Sequence, residues 1–331
     1  MVALPMLRVR RARSGDEPGI LAAHTAAIRV LCRSHYSPDE IELWAGRLTE
    51  ASYEDALTKH DGLVVEEDGR VLGFGVLDVE GAEVRAVYVH PDGARRGLGR
   101  RLLDALETIA RLRGLRDVRL DSSLNAIDFY TAAGWQRTGS SCRTYPGGRD
   151  IPCGAMTKTL PELHLDVRDE APGDVAAVDA VERAAFERAD EAGLVVRLRR
   201  DDALALSLVA CLDGVVVGHA ALSPVRIDGT SRGMVGLGPI AVDPPLQRCA
   251  IGARLVEESL ARARAHDVGG VVVLGHPAYY PRFGFVPASR LGLRYSADVP
   301  DDAFMVAELV EGALAGAAGV VRYHTAFDAI A

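Results

Sequence analysis

His90–Leu103, HPDGARRGLGRRLL, is the stretch that decides the fold of this chain. It holds three glycines and four arginines and then turns apolar, after a strand-like segment that ends VYVHP. A glycine-rich loop between a strand and a helix favours a phosphate ligand. The first N–H groups and the positive dipole end of the helix face such a ligand, and glycine lets it approach the backbone.

Two common phosphate-binding loops do not fit this stretch. A Rossmann fingerprint requires a third glycine three residues after Gly99, where the chain has Leu102. A P-loop requires Gly-Lys followed by Ser or Thr, and that sequence is absent here. The loop therefore belongs to another kind of phosphate site.

A similar loop recurs at Asp243–Val256, DPPLQRCAIGARLV, within a repeated order of elements. Each half has a hairpin with an Asp-Gly turn, a strand, the loop, a helix, a strand and a tyrosine four residues before a Gly-aromatic pair. We predict a tandem duplication with domains 1–160 and 161–331. Each domain is expected to be mixed α/β, with a mostly antiparallel sheet and helices on both faces. Ser37 and Glu40 predict a capped helix start.

Composition and charge narrow the class of protein. The chain has 331 residues, 48% of them hydrophobic, and a net charge of -8. The acidic balance argues against a nucleic-acid partner, and no apolar run approaches the ~20 residues of a membrane span. The five cysteines are scattered without a CxxC pair, which is typical of reduced thiols. We expect a cytoplasmic protein with neither a nucleic-acid nor a membrane partner.

These features together resemble the GNAT family of N-acetyltransferases. The segment Arg96-Gly97-Leu98-Gly99 is similar to the family's acetyl-CoA pyrophosphate loop, Gln/Arg-x-x-Gly-x-Gly/Ala, and the likeness covers nearly the whole chain, once per half. The second half also resembles a predicted-acetyltransferase branch of the family. The resemblance implies two tandem GNAT (acyl-CoA N-acyltransferase) folds that use acetyl-CoA as acetyl donor. Ala94 replaces the Gln/Arg in the first copy, and Ala250 replaces the first glycine in the second.

The resemblance also assigns the residues that bind acetyl-CoA. The strand before each loop is expected to splay from its neighbour and to pair with the pantetheine arm through its exposed edge. In the first domain the expected contacts are Val87, Val89, Arg95, Arg96, Gly97, Leu98, Gly99, Arg100 and Asn125. In the second domain they are Ile240, Val242, Gln247, Arg248, Cys249, Ala250, Ile251 and Gly252. The Ala250 methyl obstructs phosphate more strongly if its φ is positive, so the first site is favoured.

Three residues are candidates for catalysis by the same resemblance. Tyr130 is expected to protonate the leaving thiolate, and Tyr280 is its counterpart in the second half. The alternative for each tyrosine is an aromatic packed between helix and sheet. Glu83, which begins the strand before the first loop, is the candidate base, with a solvated strand-end carboxylate as the alternative.

We therefore predict an enzyme that transfers an acetyl group from acetyl-CoA directly to a primary amine, with the first domain as the better candidate. Two alternatives stay open: one catalytic domain beside a degenerate one, and a non-catalytic CoA-binding or partner-docking protein. The acceptor is expected to be a small-molecule or peptide amine, bound by a monomer that mimics a dimer or by a homodimer. The candidates for contacting the acceptor are His35, Tyr36, Trp44 and Glu191, and the alternative for each is to cap a helix, to pack or to face solvent. No metal is expected, because His35 and His90 lack a partner at ligand spacing.

Overall fold

Each half of the chain is organised around a β-hairpin closed by an Asp-Gly turn. The computed structural model describes residues 7–186 and 189–329. Asp68 and Gly69 have φ values of 49° and 81°, and Asp213 and Gly214 have φ values of 49° and 85°. Positive φ at both central positions suits the right-handed twist of the flanking strands, so the predicted turns are confirmed.

Two units divide the chain, and each has its own sheet. The first extends to Leu163 and includes Pro244–Cys249, while the second comprises His164–Asp243 and the chain from Ala250 onwards. Within the first unit, Arg11 donates to the Cys249 sulfur at 2.9 Å. Across the described ranges, no helix is both long and apolar enough to cross a membrane.

The first unit holds a seven-stranded sheet in the order β1-β2-β3-β4-β5-β7-β6. Only the β4–β5 pairing is parallel, so the predicted mixed, mostly antiparallel sheet is confirmed. In chain order the elements are β1 Leu7–Arg11, α1 Glu17–Leu31, α2 Pro38–Ala45, α3 Glu54–Thr58, β2 Asp61–Glu67, β3 Arg70–Asp78, β4 Glu83–Val89, α4 Leu98–Leu112, β5 Asp117–Ser123, α5 Ile127–Ala132, β6 Gln136–Tyr145 and β7 Arg149–Thr159.

Helices α1 and α4 cover opposite faces of this sheet. Phe74 of β3 packs in one buried cluster with Ile20 of α1. The next residue, Gly75, faces α4, where an added Cβ would lie 2.8 Å from Leu106. Because successive strand residues point to opposite faces, the two helices lie on opposite sides, as predicted. The buried stripe of α4 is Leu98, Leu102, Leu103, Leu106, Ile109 and Ala110.

The second unit repeats this plan with a different carboxyl-terminal half. Strand β10 is central and pairs with β9, β11 and β16. The pairings β11–β12 and β14–β16 are parallel. The elements are β8 Leu165–Asp169, α6 Val175–Ala185, α7 Ala189–Arg200, β9 Leu206–Leu212, β10 Val215–Ile227, β11 Thr230–Val242, α8 Ile251–Ala265, β12 Gly270–Leu274, β13 Val286–Pro287, β14 Leu293–Tyr295, β15 Phe304–Glu308 and β16 Gly319–Arg322.

A repeated ion pair ties the first strand of each unit to the start of its first helix. Arg10 donates to both carboxylate oxygens of Asp16 at 2.7 and 2.8 Å. Arg168 donates to both oxygens of Asp174 at 2.5 and 3.0 Å. Burial opposes ionisation of Asp16, but the hydrogen bond from Arg10 and other favourable contacts keep the pKa of Asp16 below its usual value. In both copies the two parallel hydrogen bonds from guanidinium to carboxylate hold the start of the first helix against the first strand.

The capped start predicted for α2 is also present. The Ser37 N–H donates to Glu40 Oε2 at 2.8 Å, and the Glu40 N–H donates to Ser37 Oγ at 3.3 Å. The two reciprocal bonds satisfy two backbone donors that the first helical turn leaves without partners. The sequence signature is therefore confirmed at this position.

His24 is a buried titratable residue of α1 that faces the sheet. Its side chain is nearly inaccessible, with Nδ1 3.0 Å from the Tyr53 hydroxyl. The His24 and Tyr88 ring centroids lie 3.9 Å apart. Burial lowers the pKa of His24 to about 3, and the positive charge of Arg143 acts in the same direction. His24 is therefore neutral at pH 7.

Replacing His24 by Phe is expected to weaken the acid sensitivity of the first unit. Below the ordinary histidine pKa of about 6.5 the unfolded chain binds a proton that the folded chain excludes, so stability falls as the pH falls. The difference between wild type and variant should reach about 2 kcal/mol between pH 6.5 and pH 5. Both tryptophans, Trp44 and Trp135, lie in the first unit, so urea unfolding followed by their fluorescence measures this difference. His35→Gln, at an exposed histidine, should keep the wild-type slope; equal slopes in all three proteins would contradict the interpretation.

Candidate active site

Strand β4 leaves its neighbour β5 after a single pairing. Glu83 pairs with Arg119, and the two strands then diverge. On the other side, Tyr88 pairs with Phe74, and the His90 N–H donates to Leu72 at 2.7 Å. Since backbone groups alternate along a strand, those of Val87 and Val89 point to the edge opposite β3. The predicted splayed strand with an exposed edge is thus present in the first unit.

A cavity of about 390 Å³, here called the loop cavity, opens beside this edge. Its wall combines β4, the glycine-rich loop, the start of α4 and the segment after β5. The lining residues are Ala27, Leu31, Cys32, Val87, Tyr88, Val89, Gly93, Ala94, Arg95, Gly97, Leu98, Gly99, Arg100, Ser123, Asn125, Ala126 and Phe129. The fold therefore brings most of the predicted first-domain contacts to one surface.

Gly97 gives the loop its shape at the start of α4. It has a φ of 78°, a left-handed conformation that favours glycine, and an added Cβ would meet no atom within 4 Å. Helix α4 begins at the next residue, so the N–H groups of Leu98, Gly99 and Arg100 have no acceptor within the helix. The positive dipole end of α4 and these donors face the loop cavity.

The loop arginines have different partners. Arg96 forms an ion pair with Glu67, with a second contact between Nη1 and Oε2 at 3.2 Å, and it does not line the loop cavity. Arg100 lines the cavity and donates to Asp104 at 2.7 Å. Arg95 lines the cavity and has no carboxylate partner within the described ranges. Of the described arginines that line the loop cavity, Arg95 is thus the one without a carboxylate partner, a distinction that the sequence did not make.

Asn125 and Cys32 meet on the wall opposite the loop. The Cys32 thiol donates to Asn125 Oδ1 at 3.3 Å, and both residues line the loop cavity. Burial raises the pKa of Cys32 to about 11, so the thiol stays protonated at pH 7. Sequence reasoning identified Asn125 but missed Cys32, which lies 93 positions away from it.

Tyr130 lies behind the cavity wall. Phe129 lines the loop cavity, and the buried Tyr130 ring packs between Phe129 and Trp135. Burial raises the pKa of Tyr130. The pKa of Tyr88 is raised mainly by burial, with a smaller contribution from Tyr130.

A second cavity of about 430 Å³, here called the aromatic cleft, lies on the other side of Tyr88. Tyr88 lines both cavities. The aromatic cleft is lined by His24, Leu48, Ser52, Tyr53, Asp55, His60, Phe74, Val76, Glu83, Arg85, Ala86, Tyr88 and Arg143. Glu83 thus belongs to the aromatic cleft, but it lies five residues, or about 16 Å of strand, from Tyr88.

Tyr36 and Trp44 pack in the core, and neither lines the aromatic cleft. The Tyr36 hydroxyl donates to the Pro152 carbonyl at 2.8 Å and accepts from the Leu124 N–H at 2.9 Å. The Trp44 ring lies edge-on to Tyr36 and Tyr88, with centroid distances of 5.7 and 6.2 Å. For Tyr36 and Trp44 the structure thus supports packing, whereas His35 is exposed and the side chain of Glu191 lies outside the described residues.

The second loop has the same left-handed backbone positions as the first but carries alanine where the first has glycine. Ala250 stands at the position of Gly97 and has a φ of 64°, and Arg248 has a φ of 65°. The Ala250 methyl is therefore held in the left-handed region, the conformation in which it obstructs a phosphate most. Cys249 is buried, while Arg248 and Ala250 are exposed and Gln247 is half-buried.

The second unit also has a strand edge before its loop and two tyrosines after β12, at the places that correspond to β4 and Tyr130 in the first unit. Strands β11 and β12 pair over three residues from Met234, and Ile240 and Val242 lie beyond that pairing. The tyrosine hydroxyl near the first turn of α8 is that of Tyr279 and not that of Tyr280. It lies 3.3 Å from the position that a Cβ on Gly252 would occupy. Tyr280 packs against Phe285, and burial raises the pKa of Tyr280 to about 12.

Comparisons with known proteins agree with this architecture. The family model described as the acetyltransferase (GNAT) domain matches residues 32–148, and that described as the acetyltransferase (GNAT) family matches residues 175–285. The Escherichia coli K12 protein YhbS, an uncharacterized N-acetyltransferase, is 40% identical over 163 residues, which cover 49% of this chain and 98% of YhbS. A second uncharacterized N-acetyltransferase of that strain, YjhQ, is 38% identical over 120 residues, covering 35% of this chain and 66% of YjhQ.

Two solved structures of GNAT acetyltransferases also resemble this chain. Escherichia coli YhbS in complex with CoA is 40% identical, with a TM-score of 0.49, and the match covers 52% of this chain and 96% of that one. A GNAT family acetyltransferase from Brucella melitensis in complex with acetyl-CoA is 38% identical, with a TM-score of 0.43, over 50% of this chain and 99% of that one. On the family models and the YhbS sequence, this chain belongs to the GNAT family of acetyltransferases, with one family domain in each half, and it is an acyltransferase.

Proposed function

We propose that the first domain transfers the acetyl group of acetyl-CoA directly to a primary amine. The observation that carries this proposal is the loop cavity, in which an unpaired strand edge, a left-handed glycine and the start of a helix share one surface. Its volume of about 390 Å³ lies within the range of small-ligand pockets. The amine class and the identity of the active domain are part of the proposal.

The chemical groups around the loop cavity fit the parts of acetyl-CoA. The N–H groups of the first turn of α4, together with Arg95, suit the pyrophosphate. The backbone edge at Val87 and Val89 suits the amides of the pantetheine arm, which would add to the sheet as a strand. Asn125 provides a side-chain amide on the opposite wall, where Cys32 already holds its oxygen.

The transfer requires a neutral amine and a protonated leaving group. The amine nitrogen attacks the thioester carbonyl carbon, so a C–N bond forms and the C–S bond breaks. An alkyl amine has a pKa of about 10.4 and must first lose a proton. Glu83 lies too far along β4 for direct contact with an amine at Tyr88, so we assign it the end of a water relay. Tyr130 is assigned the proton for the departing thiolate.

The second domain lacks the glycine on which this assignment depends. Ala250 places a methyl group in the left-handed conformation that Gly97 adopts in the first loop. We therefore propose that Gln247–Gly252, Ile240 and Val242 do not form a working acetyl-CoA site, and that Tyr280 is not catalytic. This favours one catalytic domain beside a degenerate one.

Calorimetric titration of acetyl-CoA into the full chain is expected to give one binding site per chain. Gly97→Ala should weaken binding about tenfold or more, because its methyl would enter the loop where the phosphate approaches. Gly114→Ala is the matched control, since Gly114 also has a left-handed φ, 83°, and open space around its Cβ position but lies outside the loop cavity. Two equivalent sites, or a Gly97→Ala variant that binds like Gly114→Ala, would refute the assignment to the first loop.

Tyr130→Phe is expected to lower kcat at least tenfold while the KM for acetyl-CoA changes less than about twofold. Its hydroxyl has no hydrogen-bond partner in the part of the chain that the structure describes, so the folded state should lose little stability. Release of the CoA thiol in the presence of an amine panel measures turnover. Tyr280→Phe, the matched change in the second unit, should leave turnover unchanged. If chemistry limits the rate and Tyr130→Phe matches wild type, Tyr130 is a packing residue.

A further inference from the structure

The aromatic cleft is the surface that an acceptor amine meets, given the proposed function. Tyr88 forms a wall of both the cleft and the loop cavity, so an amine that reaches the acetyl group from the cleft approaches it beside Tyr88. His24, Tyr53 and Phe74 form an aromatic wall near this ring. The groups around Tyr88 therefore decide which amine is accepted.

Arg143 of β6 is an uncompensated cation at this end of the cleft. Arg143 lines the cleft together with His24, Tyr53 and Tyr88, and its positive charge adds to burial in lowering the pKa of His24. All of these neighbours are neutral at pH 7. Over residues 7–186 and 189–329, no carboxylate lies within ion-pair distance of Arg143. Much of the side chain faces solvent, as expected for a residue lining an open cleft.

The charges at the other end of the cleft are already paired. Glu83 lies 3.8 Å from Arg119, and Asp55 lies 2.9 Å from Lys59. Arg85 lies 3.7 Å from Asp78 and also contacts His60 at 3.1 Å. Arg143 faces solvent and has no carboxylate neighbour in the part of the chain that the structure describes, so its guanidinium can form charge-assisted hydrogen bonds with an incoming anion. The cleft thus has one open position for an anion, beside Tyr88.

We propose that the acceptor is a free amino acid whose carboxylate binds Arg143. The anion site and the point of approach to the acetyl group both lie at Tyr88, so the carboxylate and the amine of the acceptor must be close together in its covalent structure. A free amino acid meets this condition, whereas a polyamine or a lysine side chain in a protein does not. The planar guanidinium matches a carboxylate with two parallel hydrogen bonds.

The aromatic wall selects the rest of the acceptor. His24, Tyr53 and Phe74 line the cleft with largely buried rings, a lining that suits an apolar side chain. Nε2 of His24 is buried and has no hydrogen-bond partner among the described residues. Because this atom is inaccessible, the acceptor side chain is selected by the apolar lining of the cleft and not by a polar contact with His24. Leucine and phenylalanine are therefore suitable first probes.

The test compares each amino acid with its amide, leucine with leucinamide and phenylalanine with phenylalaninamide. Thiol release from acetyl-CoA by the full chain should give kcat/KM values at least about 30-fold higher for the acids, which is the scale of a charge-assisted contact. The amides are the more readily deprotonated amines, so a preference for the acids cannot arise from the supply of nucleophile.

Variants of Arg143 identify the residue responsible. Arg143→Gln should raise the KM for the acids at least about tenfold and leave the amides unchanged, and Arg143→Lys should recover part of the loss. Arg137→Gln is the matched control, because Arg137 lies on the same strand, lines neither cavity and donates its side-chain hydrogen bonds to Gly139 and Ser140. It should leave both classes of acceptor unchanged.

The outcomes separate this inference from the proposed function. Equal turnover of acids and amides, or an equal effect of Arg143→Gln on both, overturns the amino-acid acceptor while acetyl transfer stands. Turnover of spermidine or a lysine peptide above that of the free amino acids also overturns it. If no amine releases thiol although calorimetry shows acetyl-CoA binding, the proposed function fails, and the inference fails with it.

Discussion

The separation of β4 from β5 is the constraint on which the rest of the first unit depends. A strand that leaves its neighbour exposes backbone donors and acceptors, which are costly to bury without partners. The sheet limits this exposure, because β5 pairs with β7 over seven residues and β4 pairs with β3 along its length. The opening is therefore held between two intact flanks. The loop cavity occupies the opening, and Val87 and Val89 face into it.

Small residues let α4 close over this opening. Gly75 accommodates Leu106, and Gly93 accommodates Leu98, where an added Cβ would lie only 2.8 and 2.9 Å from those side chains. The helix is thus seated close to the sheet, with its first turn beside the strand edge. The second unit keeps the same plan, since Gly218 lies against Leu255 of α8. What differs between the copies is the loop itself, where Ala250 stands in place of Gly97.

Much of this organisation could be predicted from the sequence because its signals are local. The Asp-Gly turns, the Ser37 capping box and the repeated order of elements each depend on residues within one turn or hairpin. The partners of charged side chains could not be predicted, since they depend on which strands become neighbours. Glu67 lies 29 positions from Arg96, and nothing in the loop indicates this ion pair. Arg143 likewise reaches the aromatic cleft because β6 and β7 form a hairpin, a pairing that the sequence around Arg143 does not indicate. The positive φ of Ala250 also could not be predicted, since it became known only from the structure.

The shared position of Tyr88 has a thermodynamic consequence for the two cavities. One ring contributes to both walls, so a molecule that shifts this ring on entering the loop cavity also reshapes the aromatic cleft. Linkage then requires the reverse effect to be equal in size: an occupant of the cleft changes affinity in the loop cavity by the same factor. The tilted His24 ring, with its centroid 3.9 Å from that of Tyr88 and its Nδ1 3.0 Å from the Tyr53 hydroxyl, limits how far the Tyr88 ring can turn. Among the residues that line the two cavities, Tyr88 is the one they share, so it is the side chain through which such coupling would pass.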